Sequence, residues 1–356
     1  MTVLIAIKGW EPDTWTSRLT ALLPDHDVRL YPDETVDLSK VRYLFAWKPP
    51  AEIIGRLTGL EAIFSLGAGV DHLMRMPDLP DVPIVRIVDP DLTMRMTEWV
   101  TLQVLAHHRR QRLYARQQAR GIWKSHSQPP ASAVRVGIMG LGVLGQDAAQ
   151  VLARIGFQVA GWSRTEKRME GVETYCGADG LDDFLARTDI LVNLLPLTPE
   201  TTGILNQGLF NKLAHDGAGH FGEDGPALIN AGRGGSQVEA DIVKAVSNGT
   251  LSAATLDVFE TEPLPKASPL WQDPLITVTP HIAAESDPDA LSRYVAAQIR
   301  AHEAGEGSAI WSTDQWVIDQ RVLQPQTRIS HPGARESHSS NAVYSAASRV
   351  GPTPQP

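Results

Sequence analysis

A glycine-rich turn between an apolar run and an amphipathic stretch constrains the fold of this chain more than any other feature. In VGIMGLGVLGQDAAQVLARIG (Val136–Gly156), Gly140, Gly142 and Gly145 stand in G-x-G-x-x-G spacing. The spacing alone is a weak signal. Its context gives it meaning: a strand is predicted before it and a helix after it. Gly140 permits the tight turn, Gly142 lets the backbone approach a pyrophosphate, and Gly145 lets helix and strand close up. The pyrophosphate is expected on the helix N-terminus, where free N–H groups and the dipole favour an anion. A glycine turn in a nucleotide-free α/β domain is the competing reading.

The rest of the chain repeats a strand–helix rhythm. VLIAI (Val3–Ile7), YLFAW (Tyr43–Trp47) and AIFSL (Ala62–Leu66) are short apolar runs. Between them lie segments such as DTWTSRLTALL, where Trp15, Leu19 and Leu22 recur at helical spacing and Asp13 is a candidate cap. A second series follows: VRVGIMG, QVAGW, DILVNLL, ALINA, ATLDVF and ITVTP. Buried runs alternating with helices predict doubly wound parallel sheets covered on both faces. At 356 residues the chain exceeds what one core usually serves, so two domains are expected. One long helix is predicted from about Met94 to Trp123, with HHRRQR (His107–Arg112) read as its solvated face in preference to a phosphate site. SHSQPPASA (Ser125–Ala133) has the composition of a linker, HDGAGHFGEDGP (His215–Pro226) that of a surface loop. A last helix is expected from Asp289 to about Ala304. Beyond Gln324, Ser, Pro, Gln and Arg dominate and disorder is expected.

Charge and composition narrow the partners. The net charge is −9 and no long basic run occurs, which argues against nucleic acid. No stretch is long and apolar enough for a membrane span. The one cysteine, Cys176, allows no internal disulfide, and the VLIAI run is too short for a signal peptide. A cytoplasmic location is the expectation.

The strand QVAGW runs into WSRTEKR (Trp162–Arg168). An NAD-binding turn usually ends this strand with an acid that holds the ribose hydroxyls. Here Ser163 can donate a hydrogen bond, and the planar fork of Arg164 can pair with a 2′-phosphate. Lys167 and Arg168 add positive potential. NADP(H) is therefore expected in preference to NAD(H), which stays possible; a solvated basic loop is the bland alternative.

Three more residues fall at the C-terminal ends of predicted strands, where open α/β sheets place ligands. Arg233 follows ALINA in NAGRGG, Glu262 lies in ETEP beyond LDVF, and His281 lies in TPHIAA beyond ITVTP. Arginine can hold a keto acid's carboxylate bidentately. Histidine can protonate the oxygen that forms when a ketone accepts hydride. A carboxylate beside it fixes its tautomer and favours its charged form. Each residue alone has an ordinary structural explanation; their convergence carries the reading.

With these stretches in hand, the chain resembles the D-isomer-specific 2-hydroxyacid dehydrogenase family, and most of all its glyoxylate/hydroxypyruvate reductase A branch. The carrying stretches are SLGAGVDHL (Ser65–Leu73), GIMGLGVLG, GWSR, NLLPLTPETTGILN (Asn193–Asn206), INAGRGG (Ile229–Gly235) and LDVFETEPLP running on to TPHIAA (Leu256–Ala284). The likeness spans Met1 to about Trp311, in family order. It implies Arg233, Glu262 and His281 as the catalytic set. Asp257 would hold the nicotinamide carboxamide. Gly140, Gly142, Val143, Leu144, Gly145, Ser163, Arg164, Leu195, Pro196, Ala231 and Gly232 would complete the cofactor surface. The backbone of Gly67, Ala68 and Gly69 would hold the substrate carboxylate with Arg233. FAWKPP (Phe45–Pro50) would put Trp47, with Lys48 beside it, near the substrate.

The resemblance also implies a discontinuous substrate domain, residues 1–99 plus 283–311, around a dinucleotide domain, residues 100–282, followed by a disordered tail, residues 323–356. A homodimer through the dinucleotide domain is implied as well. The loop from His215 to Pro226 and the tail depart from the family pattern. The expected activity is NADPH-dependent reduction of small 2-keto acids, with no metal. A non-enzymatic NAD(P)(H)-sensing protein of the family's corepressor type is the alternative, which WKPP and WSR disfavour. Phosphoglycerate dehydrogenase is disfavoured because no C-terminal regulatory domain is evident. Formate dehydrogenase is disfavoured because Glu262 stands where that branch has an amide.

Overall fold

The apolar runs become the central strands of two parallel sheets in the computed structural model, which describes residues 1–8, 11–67, 69–86, 90–215, 225–305 and 317–318. Ala68, residues 216–224 of the surface loop, residues 306–311 and the tail of residues 323–356 lie outside the described residues.

The first sheet is built from β1 (Thr2–Ile7), β2 (Asp27–Leu30), β3 (Val41–Trp47), β4 (Ala62–Ser65) and β5 (Ile84–Arg86). These five are parallel in the order β2-β1-β3-β4-β5. The second holds β6 (Arg135–Met139), β7 (Gln158–Ser163), β8 (Glu173–Cys176), β9 (Ile190–Asn193), β10 (Ala227–Asn230), β11 (Ala253–Leu256) and β12 (Ile276–Val278). It runs β12-β11-β10-β9-β6-β7-β8, all parallel. A short β13 (Val317–Ile318) adds antiparallel to β5. Both sheets reverse direction of growth once, between β1 and β3 and between β6 and β9. Such switch points open a crevice at the carboxyl ends of the strands.

Strands buried on both faces need helices on both sides, and the core clusters show which helices serve which sheet. Leu291, Val295, Ala296 and Ile299 of the helix Pro288–Glu303 pack with Val3, Tyr43 and Phe64 of the first sheet. The C-terminal helix thus completes the domain that the N-terminus began, and that domain is discontinuous. Met96, Trp99, Val100 and Val104 of the helix Pro90–His108 pack instead with Ala148, Ala149 and Leu152 beside the second sheet.

The predicted helix from Met94 to Trp123 is two helices, Pro90–His108 and Gln111–Ala119. Arg110 breaks it in the left-handed conformation, at φ 54°. Nor is HHRRQR simply a solvated face. His107 Nε2 meets Thr255 Oγ1 at 3.0 Å, His108 is buried against Phe157, and Arg112 donates to Ala254 O and Thr255 Oγ1 at 2.9 Å. Burial, with the charge of Arg112, keeps His107 neutral, its pKa pushed down to about 3. The first helix begins at Pro12 after Glu11, so Asp13 sits in the first turn and is not the cap.

Candidate active site

The glycine turn follows directly from β6. Gly140 has φ +104°, its N–H donates to Trp162 O at 2.8 Å, and a side chain there would press on Leu194 O. A Cβ on Gly145 would lie 1.9 Å from Gly140 O, so no other residue fits. A Cβ on Gly142 would meet nothing within 4 Å, which leaves open space above the turn. Gly142 also starts the helix Val143–Ile155, and no side chain caps it. An uncapped helix N-terminus over an open glycine is a cradle for a pyrophosphate. Val143, Leu144, Leu195, Pro196, Ala231, Gly232 and Asp257 line the same cleft, at the β6/β9 switch point and the strand ends beside it. These residues fit a dinucleotide.

The cleft holds about 1070 Å³ and joins the carboxyl ends of both sheets. Arg233, Glu262 and His281 all face it, as do Trp47, Lys48, Gly67 and Gly69 from the first sheet. The trio expected from separate stretches is therefore brought together. His281 Nδ1 lies 2.9 Å from Glu262 Oε2. With Nδ1 engaged by the carboxylate, Nε2 is the ring nitrogen left to exchange a proton. Burial works to raise the Glu262 carboxyl. The hydrogen bond and charge of His281, the Phe259 N–H at 3.2 Å and the charge of Lys48 outweigh it and hold Glu262 below the usual range.

His281 adopts φ +57°, unusual for a side-chain-bearing residue. Asp257, almost fully buried, holds it there. The Asp257 carbonyl accepts His281 N–H at 2.8 Å. The Asp257 carboxylate accepts Thr279 Oγ1 at 2.6 Å and the N–H groups of Ile282 and Ala283 at 2.9 Å. Three of its four lone-pair positions are thus taken by the turn, which leaves one for a ligand amide.

On the first-sheet side of the cleft, the Trp47 ring fills the space a side chain on Gly67 would need, 2.3 Å from the Cβ position. Trp47 in turn packs on His72, ring centres 4.8 Å apart, and Lys48 Nζ stands 5.7 Å over the Trp47 ring. Ser65 Oγ is within hydrogen-bonding reach of Gly67 O at 3.3 Å and of Gly69 O at 3.4 Å. Arg233 Nη1 donates to Gly232 O at 2.8 Å.

Two expected residues stand apart. Ser163 and Arg164, at the end of β7, do not line this cleft. The Ser163 hydroxyl donates to Thr165 O at 2.7 Å, while Arg164 is exposed. Arg164 nonetheless faces the loop after β9: its charge, behind Thr198 and a backbone N–H, helps hold the Glu200 carboxyl below the usual range. Arg168 pairs with Glu166 at 3.3 Å on the open surface, which offsets part of the basic potential.

The sequence reading missed Arg86, a half-buried cation at the end of β5 that lines the cleft. The run PIVRIV was the available signal. It also missed the hold of Asp257 on the His281 turn, which no local pattern announces. Among the described residues no group of three or more His, Cys, Asp or Glu could hold a metal ion, and no helix is long and apolar enough to cross a membrane.

Residues 101–283 match the model of the D-isomer specific 2-hydroxyacid dehydrogenase NAD binding domain. The chain is 38% identical over 311 residues to glyoxylate/hydroxypyruvate reductase A of Yersinia enterocolitica, covering 86% of this chain and 96% of that one. It is 47% identical to the NADPH-dependent glyoxylate/hydroxypyruvate reductase of Sinorhizobium meliloti, solved with NADP and sulfate, at a TM-score of 0.82 over 90% of this chain and 99% of that chain. A probable 2-hydroxyacid dehydrogenase of Rhizobium etli, solved with NADP, HEPES and L(+)-tartaric acid, is also 47% identical, with a TM-score of 0.82 over 91% and 99% of the two chains.

Proposed function

The chain belongs to the D-isomer specific 2-hydroxyacid dehydrogenase family, and from that premise we propose that it reduces small 2-keto acids, glyoxylate and hydroxypyruvate, at the expense of NADPH. It is an NAD(P)-dependent dehydrogenase with NADP(H) as its preferred cofactor. The observation that carries the reading is one cleft holding the glycine cradle, Arg233 and the Glu262–His281 pair at 2.9 Å.

A reduced nicotinamide held by this cleft would supply the hydride for the keto carbon. Arg233 and the N–H groups of the Gly67–Gly69 loop hold the substrate carboxylate, so the keto carbon is fixed before it reacts. His281 gives the proton from Nε2 to the oxygen as negative charge develops there. Glu262, held ionised, stabilises the imidazolium and fixes the ring. Trp47 would wall the substrate, and Asp257 would hold the nicotinamide carboxamide through its remaining lone pair. Arg164 and Ser163 would hold the 2′-phosphate.

We further propose residues 1–99 plus 283–311 as the substrate domain and 100–282 as the dinucleotide domain, with the boundary inside the helix Pro90–His108. The protein works as a cytoplasmic homodimer that binds no nucleic acid. Exposed Leu102, Ile122 and Trp123, on the dinucleotide side, supply apolar surface for the dimer.

The test is oxidation of NADPH by the purified chain on addition of glyoxylate or hydroxypyruvate. Turnover supports the reading; tight NADPH binding without turnover of either acid overturns it.

A further inference from the structure

Beneath Arg233 lies a set of polar side chains that neither touch the cleft nor complete a sheet ladder. Asn193 at the end of β9, Asn230 at the end of β10, Ser236 and Gln237 are each no more than 2% exposed. Asn193 Nδ2 donates to Asn230 Oδ1 at 2.9 Å and to Ser236 Oγ at 3.1 Å. Asn230 Oδ1 also accepts Gly232 N–H at 3.0 Å, and Asn230 Nδ2 donates to Gln237 Oε1 at 2.7 Å and, at 3.4 Å, to Arg233 O. Ser236 Oγ donates to Arg233 O at 2.6 Å, and Gln237 Nε2 donates to Val258 O at 2.9 Å. Both hydrogens and both lone pairs of the Asn230 amide are used.

Two consequences follow from this directionality. The chain is held at Gly232 N and Arg233 O, on either side of the Arg233 Cα. The same network reaches the cofactor loop through Leu195 N, 3.4 Å from Asn193 Oδ1, and the start of the Glu262 loop through Val258 O. Buried amides in a low-dielectric interior hold their geometry strongly when every group is satisfied, and lose it when one is removed.

We propose that the Asn193–Asn230–Gln237–Ser236 network is the device that positions Arg233 for the substrate carboxylate, with Asn230 and Gln237 as positioning residues. This rests on the reading of Arg233 as the carboxylate clamp. The network contacts no substrate. It acts by fixing the backbone from which the guanidinium reaches into the cleft, in register with the loops that carry the cofactor and Glu262.

The test uses the full-length protein saturated with NADPH, with sites counted by NADPH titration. Gln237→Met keeps the side-chain volume and removes both of its network hydrogen bonds; Ser236→Ala removes the hydroxyl that donates to Arg233 O and accepts from Asn193, and serves if the first does not fold. Two readouts are taken: the affinity for oxamate, an unreactive carboxylate mimic of glyoxylate, and kcat/KM for glyoxylate. Misplacing the clamp is expected to cost about 10- to 100-fold in both. NADPH affinity per folded site is expected to stay within about threefold, because neither change removes the bonds that hold Leu195 N and Gly232 N, and the pyrophosphate cradle lies on a different loop. Wild-type oxamate affinity in folded variants overturns the inference, since a merely structural network would change the folded fraction and not the site. A wild type that neither binds oxamate nor turns over glyoxylate overturns the functional reading, and this inference with it.

Discussion

Asp257 grips the His281 turn from both its backbone and its side chain. Its carbonyl takes the His281 N–H at 2.8 Å, and its carboxylate takes the next two N–H groups, of Ile282 and Ala283, at 2.9 Å. A left-handed, side-chain-bearing residue costs about 1–3 kcal/mol and persists only where its surroundings over-determine it. Asp257 supplies that determination for the residue proposed as proton donor. Asp257→Ala is therefore expected to release the turn and lower kcat about 100-fold or more with glyoxylate, a loss of the size expected when a reacting group moves by about 1 Å. A steady-state comparison at saturating NADPH checks this. An unchanged kcat would mean the turn holds itself.

The Glu262–His281 pair has a pH signature. Glu262 is held below its ordinary value, so its folded form keeps a proton less readily than the unfolded chain does. The stabilisation it contributes is complete above the ordinary glutamate value of about 4.3 and is lost as pH falls through the lower folded value. Glu262→Gln, which cannot ionise, should melt below the wild type at neutral pH, and the gap should close as the solution is acidified below that range. Thermal melts of the two proteins across pH read this out; a gap independent of pH would contradict it.

Arg233→Lys keeps a charge but loses the planar fork that grips a carboxylate in two places. An increase in KM for glyoxylate together with a fall in kcat is the expected result. The combined loss should be about 10- to 100-fold in kcat/KM, because the substrate is then held but misaligned. Unchanged kinetics would leave Arg233 as support for its own loop.

The end of β7 is proposed to choose between the cofactors. Losing a charge-assisted contact from Arg164 to the 2′-phosphate should weaken NADPH roughly 10- to 150-fold, at 1.5–3 kcal/mol. Neighbouring basic residues blunt a single change, although Arg168 is already paired with Glu166. The double change Ser163→Asp with Arg164→Ala restores an acid for the ribose hydroxyls and opposes the phosphate. The kcat/KM ratio of NADPH to NADH should move clearly toward NADH; a ratio that stays put would make Arg164 a solvated loop residue.

What could be read in the sequence was what local pattern encodes. The spacing of Gly140, Gly142 and Gly145 between a strand and a helix announces the cradle, because each glycine answers a requirement within a few residues. Arg233, Glu262 and His281 were legible because each follows an apolar strand, and strand ends converge in a doubly wound sheet. Contacts made at long range stayed hidden. Nothing around Asp257 signals its grip on residues 22 to 26 positions later. Arg112 looks like a solvated helix residue until the strand carrying Thr255 is beside it. The break at Arg110 has no glycine or proline to mark it, and β8, half exposed, has no apolar run to reveal it. Trp47 was placed by resemblance; only its packing on Gly67 gives the reason a glycine stands there.

The most direct test sets the wild type beside His281→Ala, each saturated with NADPH, and follows reduced-nicotinamide absorbance and the hydroxy acid formed after glyoxylate is added. The wild type is expected to form one glycolate per NADPH consumed. His281→Ala is expected to bind NADPH normally and to turn over about 10²- to 10⁴-fold more slowly, the contribution typical of a general acid. No glyoxylate-dependent oxidation in the wild type, or a His281→Ala variant that keeps more than about half the wild-type rate, far outside that range, would contradict the account.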